Sequence, residues 1–121
     1  MEVKRTVVLG ASSNPGRYAY TAVQRLVDHG HNPVLVGIRP GAIEGIEIQI
    51  GQPELNDIDT ITLFINRRHQ IKHYSYILSL KPSRLIFNPG SENEELASIA
   101  REAGIEVLYA CTLVLLATNS F

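Results

Sequence analysis

Ser12, Ser13, Asn14 and Arg17 follow directly on the apolar run Val7-Val8-Leu9-Gly10-Ala11. A strand that ends at a glycine, a short polar loop and an opening helix form a corner suited to phosphate. Such a corner turns backbone N–H groups and the positive end of a helix dipole toward one edge of a sheet. The hydroxyls and the amide add hydrogen-bonding groups, and the guanidinium adds charge. The chemistry implied is binding of a phosphorylated, nucleotide-like ligand. The same residues also suit a plain βα turn with Asn-Pro-Gly chemistry.

Two well-known phosphate loops do not fit. The dinucleotide fingerprint G-x-G-x-x-G needs glycine where Ser12 stands. The P-loop G-x-x-x-x-G-K-[ST] needs closer glycines than Gly10 and Gly16, and Lys-Ser/Thr where Arg17-Tyr18 stands. The end of the second strand adds information. An NAD site places Asp or Glu there to hold the ribose 2′-hydroxyl, whereas this chain has Ile38-Arg39-Pro40. Arginine there favours a phosphate on the adenosine ribose, as NADP and coenzyme A both carry. Asn66-Arg67 and Asn88-Pro89-Gly90 follow later strands and would line the same crevice, and Gly90 admits a close backbone approach. Ser91-Glu92-Asn93-Glu94 reads as a capping box. Its acids disfavour a further phosphate, so that side suits an uncharged or amide-bearing arm.

Other candidate chemistry is weaker. His69 and His73, spaced i, i+4, lack the glutamate and third ligand of a zinc site and read as a solvated face, so no metal is expected. Arg67, Arg68, Lys72, Lys81 and Arg84 form a basic span without aromatic stacking platforms, and also read as solvated. Cys111 reads as a buried small hydrophobe, or as a thiol at the ligand edge able to form a mixed disulfide. No Ser-His-Asp or Cys-His arrangement and no carboxylate pair can be argued from spacing, so catalysis is not expected.

The elements that must position these groups alternate. Strands are expected at Thr6–Leu9, Pro33–Ile38, Ile46–Ile50, Ile58–Ile65 and Arg84–Phe87, with a last core strand at Ile105–Ala110. Helices are expected at Arg17–His29, stopped by Gly30, at Arg68–Leu80, stopped by Pro82, from Ser91 to Gly104, and at Thr112–Ala117. Alternating β and α elements imply a parallel sheet with right-handed crossovers. The fold expected is one α/β domain over 1–121: a Rossmann-like, doubly wound parallel sheet of about five strands, order 3-2-1-4-5, with helices on both faces. Its ligand crevice lies at the strands' carboxyl ends.

The chain has 121 residues and a net charge of -1, so no global field recruits nucleic acid or an anionic membrane. The apolar run from Leu108 to Ala117 is too short to span a bilayer. A single cysteine suits a reducing compartment, and Met1-Glu2-Val3-Lys4-Arg5 leads into no signal-peptide apolar region. A cytoplasmic location is expected.

Together these residues resemble the coenzyme A-binding domain family, small stand-alone Rossmann-like proteins similar to the N-terminal domain of the succinyl-CoA synthetase α subunit. The likeness rests on the Gly10-Ala11-Ser12 opening with Asn14-Pro15-Gly16-Arg17, on Gly30-His31-Asn32-Pro33-Val34, and on Arg39-Pro40. It continues through Asp59-Thr60-Ile61, Phe64-Ile65-Asn66-Arg67-Arg68, Pro89-Gly90-Ser91-Glu92-Asn93-Glu94-Glu95 and Ala103-Gly104-Ile105-Glu106-Val107, and closes at Cys111. The resemblance implies that Gly10, Ser12, Ser13, Asn14 and Arg17 hold a pyrophosphate and that Arg39-Pro40 meets the adenosine end. It implies that the turns at Asn66 and Asn88 to Gly90 line the crevice. Many members have Asn-Pro where Arg39-Pro40 stands, and Gln-x-Gly where Asn88-Pro89-Gly90 stands. The synthetase's phosphorylated histidine belongs to a separate domain, so ligase activity is not implied. The expected function is binding of coenzyme A or an acyl-CoA, a small-molecule ligand, by a chain compatible with a homodimer. An NADP-dependent oxidoreductase, a nucleotide-sugar enzyme fragment and an interaction module with a decayed ligand site are the alternatives.

Overall fold

The computed structural model describes residues 3–121; Met1 and Glu2, part of the N-terminal stretch considered above, lie outside them. The strands are β1 (Arg5–Leu9), β2 (Asn32–Gly37), β3 (Ala42–Ile43), β4 (Ile46–Ile50), β5 (Thr60–Leu63), β6 (Arg84–Phe87) and β7 (Glu106–Tyr109). The helices are α1 (Tyr18–Asp28), α2 (Arg67–Gln70), α3 (Tyr74–Ser79), α4 (Glu94–Glu102) and α5 (Thr112–Ala117), with a 3-10 turn at Ile71–His73 between α2 and α3. They build an α/β, Rossmann-like fold on a mostly parallel sheet of order β3-β4-β2-β1-β5-β6-β7.

The period of two along β1 divides the core. Val7 and Leu9 face a layer completed by Ile77 of α3 and Leu96, Ala97 and Ala100 of α4. Val8 faces the opposite layer, with Ala19, Val23 and Leu26 of α1 and Leu116 of α5. Helices therefore cover both faces, and β5 and β6 are buried at every position, as a doubly covered sheet requires. Each fully buried Leu or Ile contributes about 1.5–3 kcal/mol. No helix among the described residues is long and apolar enough to cross a membrane.

The sheet corrects the expected strand count and order: it has seven strands, one pair antiparallel, rather than five in the order 3-2-1-4-5. The unforeseen strand is β3, which forms a hairpin with β4, Ala42 opposite Glu47 and Ile43 opposite Ile46. Glu44 and Gly45 between them both have positive φ, 53° and 75°, the geometry of a tight primed hairpin turn. β7 is an edge strand with exposed ends rather than a core strand.

Helical boundaries also differ. The expected helix Arg68–Leu80 is interrupted by the 3-10 turn. Gln70, fully buried, ends α2 by donating to the carbonyls of Ile65 (2.9 Å) and Ser91 (2.7 Å). Ile71, just after the break, is left 61% exposed. The capping box is not formed. Asn93 caps α4, its side chain accepting from the Leu96 N–H, while Ser91 is buried and donates to the Leu63 carbonyl.

Candidate functional site

At the carboxyl end of β1 the chain turns at Gly10, whose φ is +99°. A Cβ there would lie 2.7 Å from Ile65 Cγ2 and 3.0 Å from the Phe64 carbonyl, so glycine is required sterically as well as conformationally. The N–H groups of Gly10 and Ala11 both donate to the Val36 carbonyl, at 2.9 and 3.0 Å. This ties the loop to β2. Gly37 makes room for it, since a Cβ at Gly37 would fall 2.4 Å from the Ala11 oxygen.

The loop then organises itself. Ser12 Oγ accepts from the Asn14 N–H (3.1 Å), Asn14 Oδ1 from the Gly16 N–H (2.9 Å), and the Asn14 carbonyl from the Arg17 N–H (3.0 Å). The amides of Ser12 and Ser13 have no partner among the described residues. The Asn14 N–H is instead taken up by Ser12 within the loop. Arg17 stands at the N-cap of α1 without a side-chain capping bond, and the amides of Tyr18 and Ala19 are likewise unpartnered. An uncapped helix start beside open loop amides is electropositive without any charged residue, and Arg17 adds a full charge.

This corner opens into a crevice of ≈ 990 Å³ along the carboxyl edge of the sheet. Gly10, Ala11, Ser12, Ser13, Asn14 and Arg17 line it, as do Arg39, Pro40, Asn66, Asn88, Pro89 and Gly90. Arg67 does not: with Arg68 it lines a neighbouring hollow of ≈ 790 Å³ that also holds Glu92, Glu94 and Glu95. Asn66 and Gly90 border both, and Arg67, in the first turn of α2, faces only the hollow.

Asn88 reaches the crevice with its side chain already engaged. It donates to Thr62 Oγ1 (2.7 Å) and the Leu63 carbonyl (2.8 Å) and accepts from the Thr112 N–H (2.8 Å). Its role is to hold the ends of β5, β6 and α5 together. A second buried network supports the same edge. Gln70 Oε1 accepts from Asn93 (2.9 Å), and Asn93 also donates to the Tyr74 hydroxyl (2.8 Å). Among the described residues no group of three His, Cys, Asp or Glu side chains could hold a metal ion.

Residues that the sequence reading set aside also lie here. His69, Lys72 and His73 are solvent-accessible, as a solvated face requires, but on the crevice wall, and half-buried Cys111 joins them. Burial, then Lys72 beside it, pushes the His73 imidazole below its ordinary range. The i, i+4 spacing of the histidines was the available signal; which way that face points was not in it. Tyr18 and Ile38, 77% and 78% exposed, line the crevice too.

A crystal structure of an uncharacterized protein is similar to this chain over the full length of both, with 48% identity and a TM-score of 0.98. A hypothetical protein from Pyrococcus horikoshii OT3 aligns over 93% of this chain and 81% of its own, with 20% identity and a TM-score of 0.83. The cell-free ID.343 structure from Thermus thermophilus aligns over 98% and 91%, with 24% identity and a TM-score of 0.82. The last two share the fold. No curated protein matches the chain. The CoA binding domain family matches residues 4–117, which takes in every strand and helix described above. The chain belongs to the CoA-binding domain family.

Proposed function

We propose that this protein binds coenzyme A or an acyl-CoA in the crevice at the carboxyl edge of its sheet, and performs no chemistry on it. The observation that carries this reading is the family match over residues 4–117. The geometry supports it. The open amides of Ser12 and Ser13 and the uncapped start of α1, with Arg17, suit a pyrophosphate. Tyr18 and Ile38 expose apolar surface suited to a base, and Arg39 beside them suits a ribose phosphate. Asn88 to Gly90 would border the arm. The crevice is lined by no Asp or Glu, which leaves an acyl thioester without a carboxylate base.

Calorimetric titration with CoA, dephospho-CoA, NADP and ATP tests the reading. CoA is expected to bind best. Arg17→Ala should weaken it by about 1–3 kcal/mol, the range of a charge-assisted hydrogen bond. Arg39→Ala should remove a preference for CoA over dephospho-CoA of at most about 1–2 kcal/mol, a preference that falls with salt. Tighter binding of NADP than of CoA would favour an oxidoreductase instead. Silence with all four would leave an interaction module.

A further inference from the structure

Sheet order divides the basic groups of the crevice. β1 lies between β2 and β5, so Arg39, following β2, and the His69–His73 segment, following β5, flank the Gly10–Arg17 loop from opposite sides. Adjacent strands are about 4.8 Å apart, so the two groups are separated by about 10 Å or more. A pyrophosphate on the loop and a ribose phosphate on Arg39 leave His69, Lys72 and His73 without a counterpart.

Those three side chains are concentrated and uncompensated. Lys72 makes no ion pair among the described residues, and no carboxylate lines the crevice. Gln52 fixes the segment, its amide donating to the Lys72 carbonyl and lying 3.1 Å from His73 Nδ1. The remaining charged groups lining the crevice are Arg17 and Arg39, and the other titratable ones are Tyr18 and Cys111. Burial first, and then Lys72 beside it, lowers the basicity of His73. An anion held there would offset the Lys72 contribution.

We propose that His69, Lys72 and His73 form a second anion subsite of the crevice, which takes a carboxylate or phosphate of the ligand other than its pyrophosphate. The proposal rests on the coenzyme A reading and adds a specificity to it. A carboxylate at the acyl end is one source and the ribose phosphate the other.

Titration of malonyl-CoA, acetyl-CoA, CoA and dephospho-CoA separates them. A carboxylate source makes malonyl-CoA bind more tightly than acetyl-CoA. A phosphate source makes CoA exceed dephospho-CoA even in Arg39→Ala, which would move the ribose phosphate from Arg39 to this subsite and overturn the Arg39 assignment. Either preference should be about fivefold to twentyfold and should vanish in Lys72→Gln and in the double variant His69→Gln/His73→Gln. All three positions are solvent-accessible, and thermal melts verify that these variants fold. Ligand preferences unchanged in both variants would overturn the subsite. Should neither CoA nor a thioester bind, the coenzyme A reading fails separately, and sodium tripolyphosphate and malonate then serve as probes. Movement of the His69 and His73 imidazole resonances by either salt, lost in Lys72→Gln, upholds the subsite. Resonances that stay still refute it.

Discussion

Asn88 and Gly10 show how single side chains, present or missing, shape the crevice. Asn88 leaves no buried polar atom of its own unpaired and satisfies the Thr112 amide at the start of α5. Asn88→Ala orphans that amide and strips Thr62 of a donor, which should cost about 2–4 kcal/mol in urea denaturation. Gly10→Ala adds a methyl at positive φ into contact with Ile65 and the Phe64 backbone. It should cost about 1–3 kcal/mol, and if the loop holds a phosphate, affinity for CoA falls further than stability does. A Gly10→Ala variant as stable as wild type would show that the loop gives way at little cost.

Among the elements, α1 and α4 begin differently although both start at the carboxyl edge. Asn93 caps α4, and Glu94 and Glu95 fill its first turn. α1 has no side-chain cap and no acid in its first turn. The second arrangement leaves donors for an anion, whereas the first satisfies and neutralises them. Asn93→Ala should therefore destabilise the protein by about 1–3 kcal/mol, because it removes the cap and the bonds to Gln70 and Tyr74 together. Heat denaturation monitored by circular dichroism would measure it. A change within error would mean that the Gln70 network closes without Asn93.

Over the whole molecule, the amino edge of the sheet is closed by Phe121. Phe121 lies against the Arg84 guanidinium, 4.4 Å from ring centroid, and against the His31 ring at 4.9 Å. Its carbonyl accepts from Arg84 and from Lys4. His31 Nδ1 accepts the Lys4 amide at 3.1 Å. Burial first, then Lys4, His29 and Arg84, lowers the imidazole from 6.5. The folded protein thus resists protonating His31, and the unfolded chain binds more protons between the lowered value and 6.5. Stability from the neutral ring is complete above 6.5 and is lost as pH falls below it. The urea midpoint should drop between pH 7.5 and pH 5.5. His31→Asn, which keeps an acceptor for Lys4, should lessen that drop, and an undiminished drop would assign it to other groups such as His73.

From the sequence alone came whatever depends on local chemistry and period. The β-branched and apolar run at β1 reads as a strand, and so do the runs at β2 and β6. The glycine, polar loop and helix at Gly10–Arg17 marked one corner, and family motifs along the chain placed the domain. Tertiary structure decided what depends on distant partners. The Ser91 carbonyl, far from Gln70 in sequence, captures its amide together with the nearby Ile65 carbonyl where the helix that periodicity joins is broken. Asn93 displaces Ser91 as the cap because the Leu63 carbonyl claims the serine. The direction of the His69–His73 face was likewise settled only in the folded chain. A pattern of residue types records which face is apolar, but not which element across the fold supplies the hydrogen bond that turns it.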